Sequence, residues 1–227
     1  MLEFDLTNPE YWQLIYQLLT PATGETLYMV VVSTLLAYVI GVPLGVILVI
    51  SSPGHISPNP WVERILGTII NIFRSIPFIV LLIFLIPFTR LVVGTYIGTT
   101  AAIVPLVIAT APFVARMVET SLKEVSYGVI EAALSMGASP WQIITKVLLP
   151  EAKASLVLGV AITTISVIGY TAMAGTVGGG GLGDVAIRYG HNRFRTDIMI
   201  FTVIILVIIV QLIQLLGSKL AQRLSHH

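Results

Sequence analysis

Few side chains in this sequence could do chemistry, and the densest set lies between Thr120 and Ala152. It reads Glu131-Ala132-Ala133-Leu134-Ser135-Met136-Gly137, then Ala138-Ser139-Pro140-Trp141, and closes on Val147-Leu148-Leu149-Pro150. A carboxylate, two small residues and a glycine in this order carry no nucleophile–base or metal-ligand logic. They suit recognition, in which a short rigid surface lets another protein approach closely. The remaining inventory for catalysis is thin. The absence of cysteine excludes disulfides and thiolate metal sites. The histidines, His55, His191, His226 and His227, lack ligand spacing, and the last two look like the stub of a purification tag. A net charge of +1 gives no electrostatic case for nucleic acid. Gly178-Gly179-Gly180-Gly181-Leu182-Gly183 contains G-x-G-x-x-G, but it follows an apolar helix instead of a strand, so a dinucleotide site fails its context. No phosphate-binding G-x-x-x-x-G-K-[ST] is present, so the chain is not expected to bind ATP. No catalytic residue, cofactor or metal is expected.

These residues are set in a chain that lipid would otherwise accept. Hydrophobic residues make up 56% of the 227 and charged residues only 10%, against about 25% charged in soluble domains. The mean hydropathy is +0.96. The expected fold class is an all-α integral membrane protein. A spanning helix needs roughly 20 apolar residues, and five windows qualify: about 26–50, 61–89, 96–118, 152–174 and 197–216. The second is interrupted by Arg74 and Pro77. Ahead of them, Tyr11-Trp12, Leu14-Ile15 and Leu18-Leu19 recur at helical spacing. That predicts a short interfacial helix in an N-terminal tail of residues 1–25. This tail holds no Lys or Arg and four acids, Glu3, Asp5, Glu10 and Glu25, unlike a cleaved signal peptide.

Five spans put the termini on opposite sides. With the N-terminus outside, the cytoplasm receives seven basic residues: Arg64, Arg116, Lys123, Lys146, Lys153, Lys219 and Arg223. The outside receives four: Arg90, Arg188, Arg193 and Arg195. The balance favours N-out, C-in.

Within the polar segment, Leu122, Val125, Val129, Ala133 and Met136 form an apolar stripe at helical period. Gly137 stands where a helix takes a left-handed terminating residue. Ser139 as N-cap, Pro140 in the first helical position and Gln142 three residues after the cap predict a capping box that opens a second helix. Pro150 and Glu151 suit the first turn of the next span. Two short helices broken at Gly137 are expected against the membrane surface.

Glu131, Ala132, Ala133, Gly137, Leu149 and Pro150, with their spacing, resemble the EAA loop of ABC-importer permeases; Val147 stands where the family usually has Ile. Asn71-Ile72-Phe73-Arg74-Ser75-Ile76-Pro77-Phe78 is similar to the second-span motif of amino-acid-type permeases. The stretch from Gly169 to Phe194 is similar to the methionine-uptake permeases. The resemblance implies a type I importer transmembrane domain over residues 26–220, with a short tail at 221–227 and residues 121–150 as its cytoplasmic coupling loop. It implies that Glu131, Ala132, Ala133, Leu134, Ser135, Met136 and Gly137, with Leu149 and Pro150, meet a separate ATPase. The partners it implies are two ATPase subunits, a second copy of the permease and an extracytoplasmic substrate-binding lipoprotein. It places the chain in the bacterial cytoplasmic membrane among lipids. The cargo it implies is methionine, in D and L forms; another amino acid or a small osmolyte keeps the same architecture.

Four further residues are assigned to the pathway or its gate: Met173, Thr163, Ser166 and Arg74. Met173 lies near the outer end of the fourth window among small residues, where it is expected to help close the pathway. Thr163 and Ser166 offer hydroxyls to a polar path. Arg74 is either functional within the membrane or, if Pro77 breaks the helix, a side chain that reaches the headgroups. Gly41 and Gly45 permit close helix approach, while Pro43 between them allows a kink instead. Asp184 and Arg188 form an i, i+4 pair, and Arg193 and Arg195 suit either acids on a binding protein or lipid headgroups. Ion-coupled secondary transport is disfavoured, because Glu63, Glu119, Glu151 and Asp197 all sit at span ends. A passive channel would leave the structured polar segment without a role.

Overall fold

In the computed structural model, which describes residues 7–225, every element is helical. Helix α1 runs unbroken over Pro9–Ser51. The short interfacial helix expected before the first span is therefore the beginning of that span's own helix. Pro21 costs a helix interior about 3 kcal/mol. Tyr11, Ile15, Leu19 and Ala22 fall on one face and are buried. Burying a large apolar side chain contributes roughly 1.5–3 kcal/mol, so the packed face outweighs the proline.

Helix α2, Pro60–Ser75, opens with Asn59 accepting from the Val62 N–H (3.2 Å) and Pro60 in the first turn. It ends because Ile76 precedes a proline and takes extended backbone (φ −86°, ψ 122°). Helix α3 follows over Phe78–Phe84 and α4 over Ile86–Val93. The expected second span is thus broken at Pro77, and α2 with α3 passes for one bent span. Helix α5 covers Thr99–Lys123 and α6 covers Tyr127–Ser135. Helix α7, Pro140–Ile143, widens into a π-helical turn at Ile144–Leu148, and α8 is the single turn Leu149–Glu151. Helix α9 is Lys153–Ala174, α10 the short Gly181–Val185, and α11 Thr196–Ser225. Helices α1, α5 and α11, and α9 with the turn after it, are long and apolar enough to cross a membrane. They outrun the apolar windows because good helix formers such as Lys219, Gln222 and Arg223 extend the ends. The expectation for His226 and His227 lies outside the described residues.

Two groups of residues pack internally. One comprises the chain up to Thr34, Pro77–Val107 and Thr164–Ile213. Its core joins Tyr11, Ile15, Leu19 and Ala22 of α1 to Leu182, Val185 and Ile198. The other comprises Leu35–Ile76, Ile108–Thr163 and the chain from Gln214. Its core joins Val46 and Val49 to Val114, Val118 and Leu122 of α5, and then to Ile130, Ala133, Ile143 and Leu148. Here α1 and α5 approach closely: a Cβ added to Gly41 would lie 2.6 Å from the Val114 Cβ, and one on Gly45 2.6 Å from the Ala115 carbonyl oxygen. Both glycines are packing positions.

Candidate functional site

The polar segment takes the two-helix form that its capping residues predict. Helix α6 closes in a Schellman turn: Gly137 adopts φ +77°, the Ala138 N–H donates to the Ala133 carbonyl (3.1 Å) and the Gly137 N–H to that of Leu134 (2.9 Å). Two residues later the capping box forms. The Ser139 N–H donates to Gln142 Oε1 (2.8 Å), and the Gln142 N–H donates to Ser139 Oγ (3.4 Å). Together these fix the angle between α6 and α7 with little freedom.

The segment is anchored from beneath. Ile130, Ala133, Ile143 and Leu148 are buried in the same core as the end of α5, and Leu149 packs against that core. Glu131, Ala132, Leu134, Ser135, Met136, Gly137 and Pro150 are exposed. The expected apolar stripe is only partly right. Leu122 and Ala133 face the core, but Val129 is exposed and Met136 is 82% exposed, and Ile130 takes the buried place instead. The reason is the break over residues 124–126, which resets the helical phase between α5 and α6. Trp141 is 71% exposed beside this face, a large apolar side chain to which the sequence pattern gives no role. Met136 and Trp141 thus stand as exposed apolar side chains on a rigid, internally satisfied segment.

The residues assigned to the pathway fall in both groups, Ser166 and Met173 in the first and Thr163 and Arg74 in the second. Thr163 is fully buried, its hydroxyl 3.3 Å from the Tyr38 hydroxyl, which makes it a packing position in this chain. Ser166 is half-buried, while Gly169 and Met173 lie on the exposed face of α9. Arg74 is exposed in the last turn of α2, just before the helix breaks at Pro77.

The glycine run is an ordered turn. Gly178, Gly180 and Gly181 all take positive φ. The Gly98 N–H donates to the Gly178 carbonyl (2.9 Å), the Gly181 N–H to Glu25 Oε2 (2.6 Å) and the Leu182 N–H to Thr26 Oγ1 (2.9 Å). Glu25 and Thr26 thus cap a helix more than 150 residues away in sequence, a role that no local pattern announces. Asp184 and Arg188 pair at 2.7 Å as expected. Arg195 is not free for outside acids. Its Nε and Nη2 donate to both carboxylate oxygens of Asp197 (2.9 and 2.7 Å), and the Tyr11 hydroxyl donates to Asp197 Oδ2 (2.8 Å). The hydrogen bond to Asp197 raises the Arg195 pKa above its ordinary value. Arg193 lies over the Tyr189 ring, 4.6 Å from its centroid.

Glu119 lies within α5 one turn from its end, not beyond it, and is 7% exposed. Its two oxygens are held by Arg116 Nη1 (2.5 Å) and Lys123 Nζ (2.7 Å). Burial, and secondarily the nearby Lys123 charge, lower the pKa of His55.

Known proteins match this chain over nearly its whole length. A Vibrio cholerae serotype O1 relative named "Probable D-methionine transport system permease protein MetI" is 51% identical over 97% of this chain and 98% of its own. The Escherichia coli K12 "D-methionine transport system permease protein MetI" is 51% identical over 75% of this chain and 76% of its own. A solved structure of the MetNI methionine ABC transporter, in inward-facing conformations, superposes with a TM-score of 0.91. It is 47% identical, over 99% of both chains. Residues 37–226 match the family described as "Binding-protein-dependent transport system inner membrane component", and the chain belongs to that family.

Proposed function

We propose that this chain is the permease subunit through which an ATP-driven importer carries methionine across the bacterial inner membrane. Membership of the family makes it an inner-membrane transport subunit and not an enzyme. The structural observation that carries the coupling role is the α6–α7 segment, with Glu131, Ala132, Leu134, Ser135, Met136 and Gly137 displayed on a buried base of Ile130, Ala133 and Ile143. The domain runs over about residues 26–220, N-terminus outside, with residues 121–150 turned to the cytoplasm. Two ATPase subunits dock on two copies of the permease, each on a face made by Glu131, Ala132, Leu134, Ser135 and Met136. Ala133 and Leu149, packed in the core, hold that face in place, and Pro150 adds to the exposed surface. When ATP draws the ATPases together, the docked segments approach each other and the pathway opens outward to a substrate-binding lipoprotein. Met173, on the exposed face of α9, helps close the outer end. Methionine as cargo is supported by the names of relatives at about half identity, which specify the D form; carriage of the L form as well is part of the proposal.

The test is ATP-dependent uptake of labelled methionine into liposomes that hold the whole complex. Saturable uptake of either enantiomer is expected. Uptake of a different amino acid without methionine would remove the cargo and leave the architecture.

A further inference from the structure

Helices α2 and α5 meet around two different kinds of contact. On one side Leu48, Ile70 and Ala115 form a small apolar cluster. On the other lies an open polar cleft of about 310 Å³, lined by Glu63, Arg64, Thr68, Asn71, Arg116 and Glu119. Arg116 bridges it. Its Nη2 donates to the Asn71 side-chain oxygen (2.9 Å) and to the Gly67 carbonyl (3.2 Å) of α2, while Nη1 donates to Glu119 on α5. The Arg116 Nε is buried without an acceptor. Such an orphaned donor costs stability and calls for an explanation.

Glu119 ties this bridge to Lys123, the last residue of α5 before the break that leads into α6. Val118 and Leu122, on the same stretch of α5, are buried with Ile130, Ala133 and Ile143. A packed core does not deform continuously, so displacement of α6–α7 must carry the end of α5 with it. The planar guanidinium fork holds two helices in a fixed geometry that a flexible ammonium could not reproduce.

We propose that Arg116 is a positioning residue for transport, a strut that passes movement of the α6–α7 segment to α2 through Asn71 and Gly67. The strut rests on the import reading above and gives Asn71, a member of the second-span motif, a physical task.

The test uses the whole complex in liposomes, with Arg116→Gln, Arg116→Lys and Asn71→Ala. Asn71 is exposed, so its truncation spares folding even where Arg116→Gln does not assemble. Coupling between sites typically spans factors of about 5–150. Methionine moved per ATP hydrolysed is expected to fall about tenfold in Asn71→Ala and Arg116→Gln, and by less in Arg116→Lys. ATP hydrolysis and co-purification of the ATPase with the permease both persist, which a simply misfolded permease would not allow. The double variant Arg116→Gln/Asn71→Ala is expected to be no worse than either single one.

Because the chain has no cysteine, a fluorophore on Ile69→Cys reports α2 alone. Its ATP-dependent signal is expected in the otherwise unaltered complex and lost in Arg116→Gln and Asn71→Ala. This signal does not depend on the cargo, so it tests the strut even if methionine uptake fails. Unchanged label response in both variants, or additive losses in the double variant, would overturn it.

Discussion

Replacing Gly137 tests whether the rigid angle between α6 and α7 matters for coupling. The residue sits at φ +77°, and a Cβ placed there would meet nothing within 4 Å. Substitution therefore adds no clash, and its whole cost is backbone strain. An L-residue in the left-handed region costs roughly 1–2 kcal/mol, and a β-branched one more. Asn tolerates this region better than Ala. Unravelling the turn would also give up the two Schellman hydrogen bonds, worth about 0.5–1.5 kcal/mol each. A strain of 1–2 kcal/mol shifts the formed-to-unravelled ratio by roughly 5–30-fold. ATPase co-purification and ATP-dependent uptake are thus expected to fall in the order Gly, Asn, Ala, Val, with thermal stability of the permease nearly unchanged. Equal uptake for Gly137→Ala, Gly137→Val and the unaltered chain would refute the reasoning, as would Asn proving as harmful as Val.

Two further substitutions and one control test the packing. Gly41→Leu should abolish stable expression, because even its Cβ would lie 2.6 Å from Val114, whereas Gly24→Ala, with nothing within 4 Å of its Cβ, should express normally; size-exclusion profiles separate the two. Asp197→Ala removes the carboxylate that pairs with Arg195 and accepts from the Tyr11 hydroxyl, and removing one member of a buried pair costs about 3–5 kcal/mol. A thermal midpoint unchanged by Asp197→Ala would refute that assignment.

Local signals were legible where the sequence has only one physical use for a residue. Ser139, Pro140 and Gln142 spell a cap, and Gly137 a left-handed stop, because few other residues serve those backbone states. The stripe through Val129 and Met136 failed because residues 124–126 interrupt the helix and a period counted across a break loses phase. The short interfacial helix proved to be continuous with the first span because the burial that outweighs Pro21 comes from Leu182, Val185 and Ile198, residues far along the chain. Arg116 and Glu25 were silent for the same reason. Their partners Asn71 and Gly181 lie 45 and 156 residues away.

Those long separations set an order on biogenesis. The hydrogen bonds from Gly181 to Glu25 and from Tyr11 to Asp197 join residues 156 and 186 apart. At 5–20 residues per second, the ribosome needs roughly 8–30 s to deliver Gly181 after Glu25 has emerged. During that interval Glu25 waits without its backbone partner, and Tyr11, Ile15 and Leu19 wait without a cover. The α5–α7 core closes between near neighbours in sequence and needs no such delay. The nascent chain thus completes its docking segment early and leaves its first helix half-assembled until synthesis is almost over. During that interval chaperone or protease access to the amino-terminal turns should be greatest.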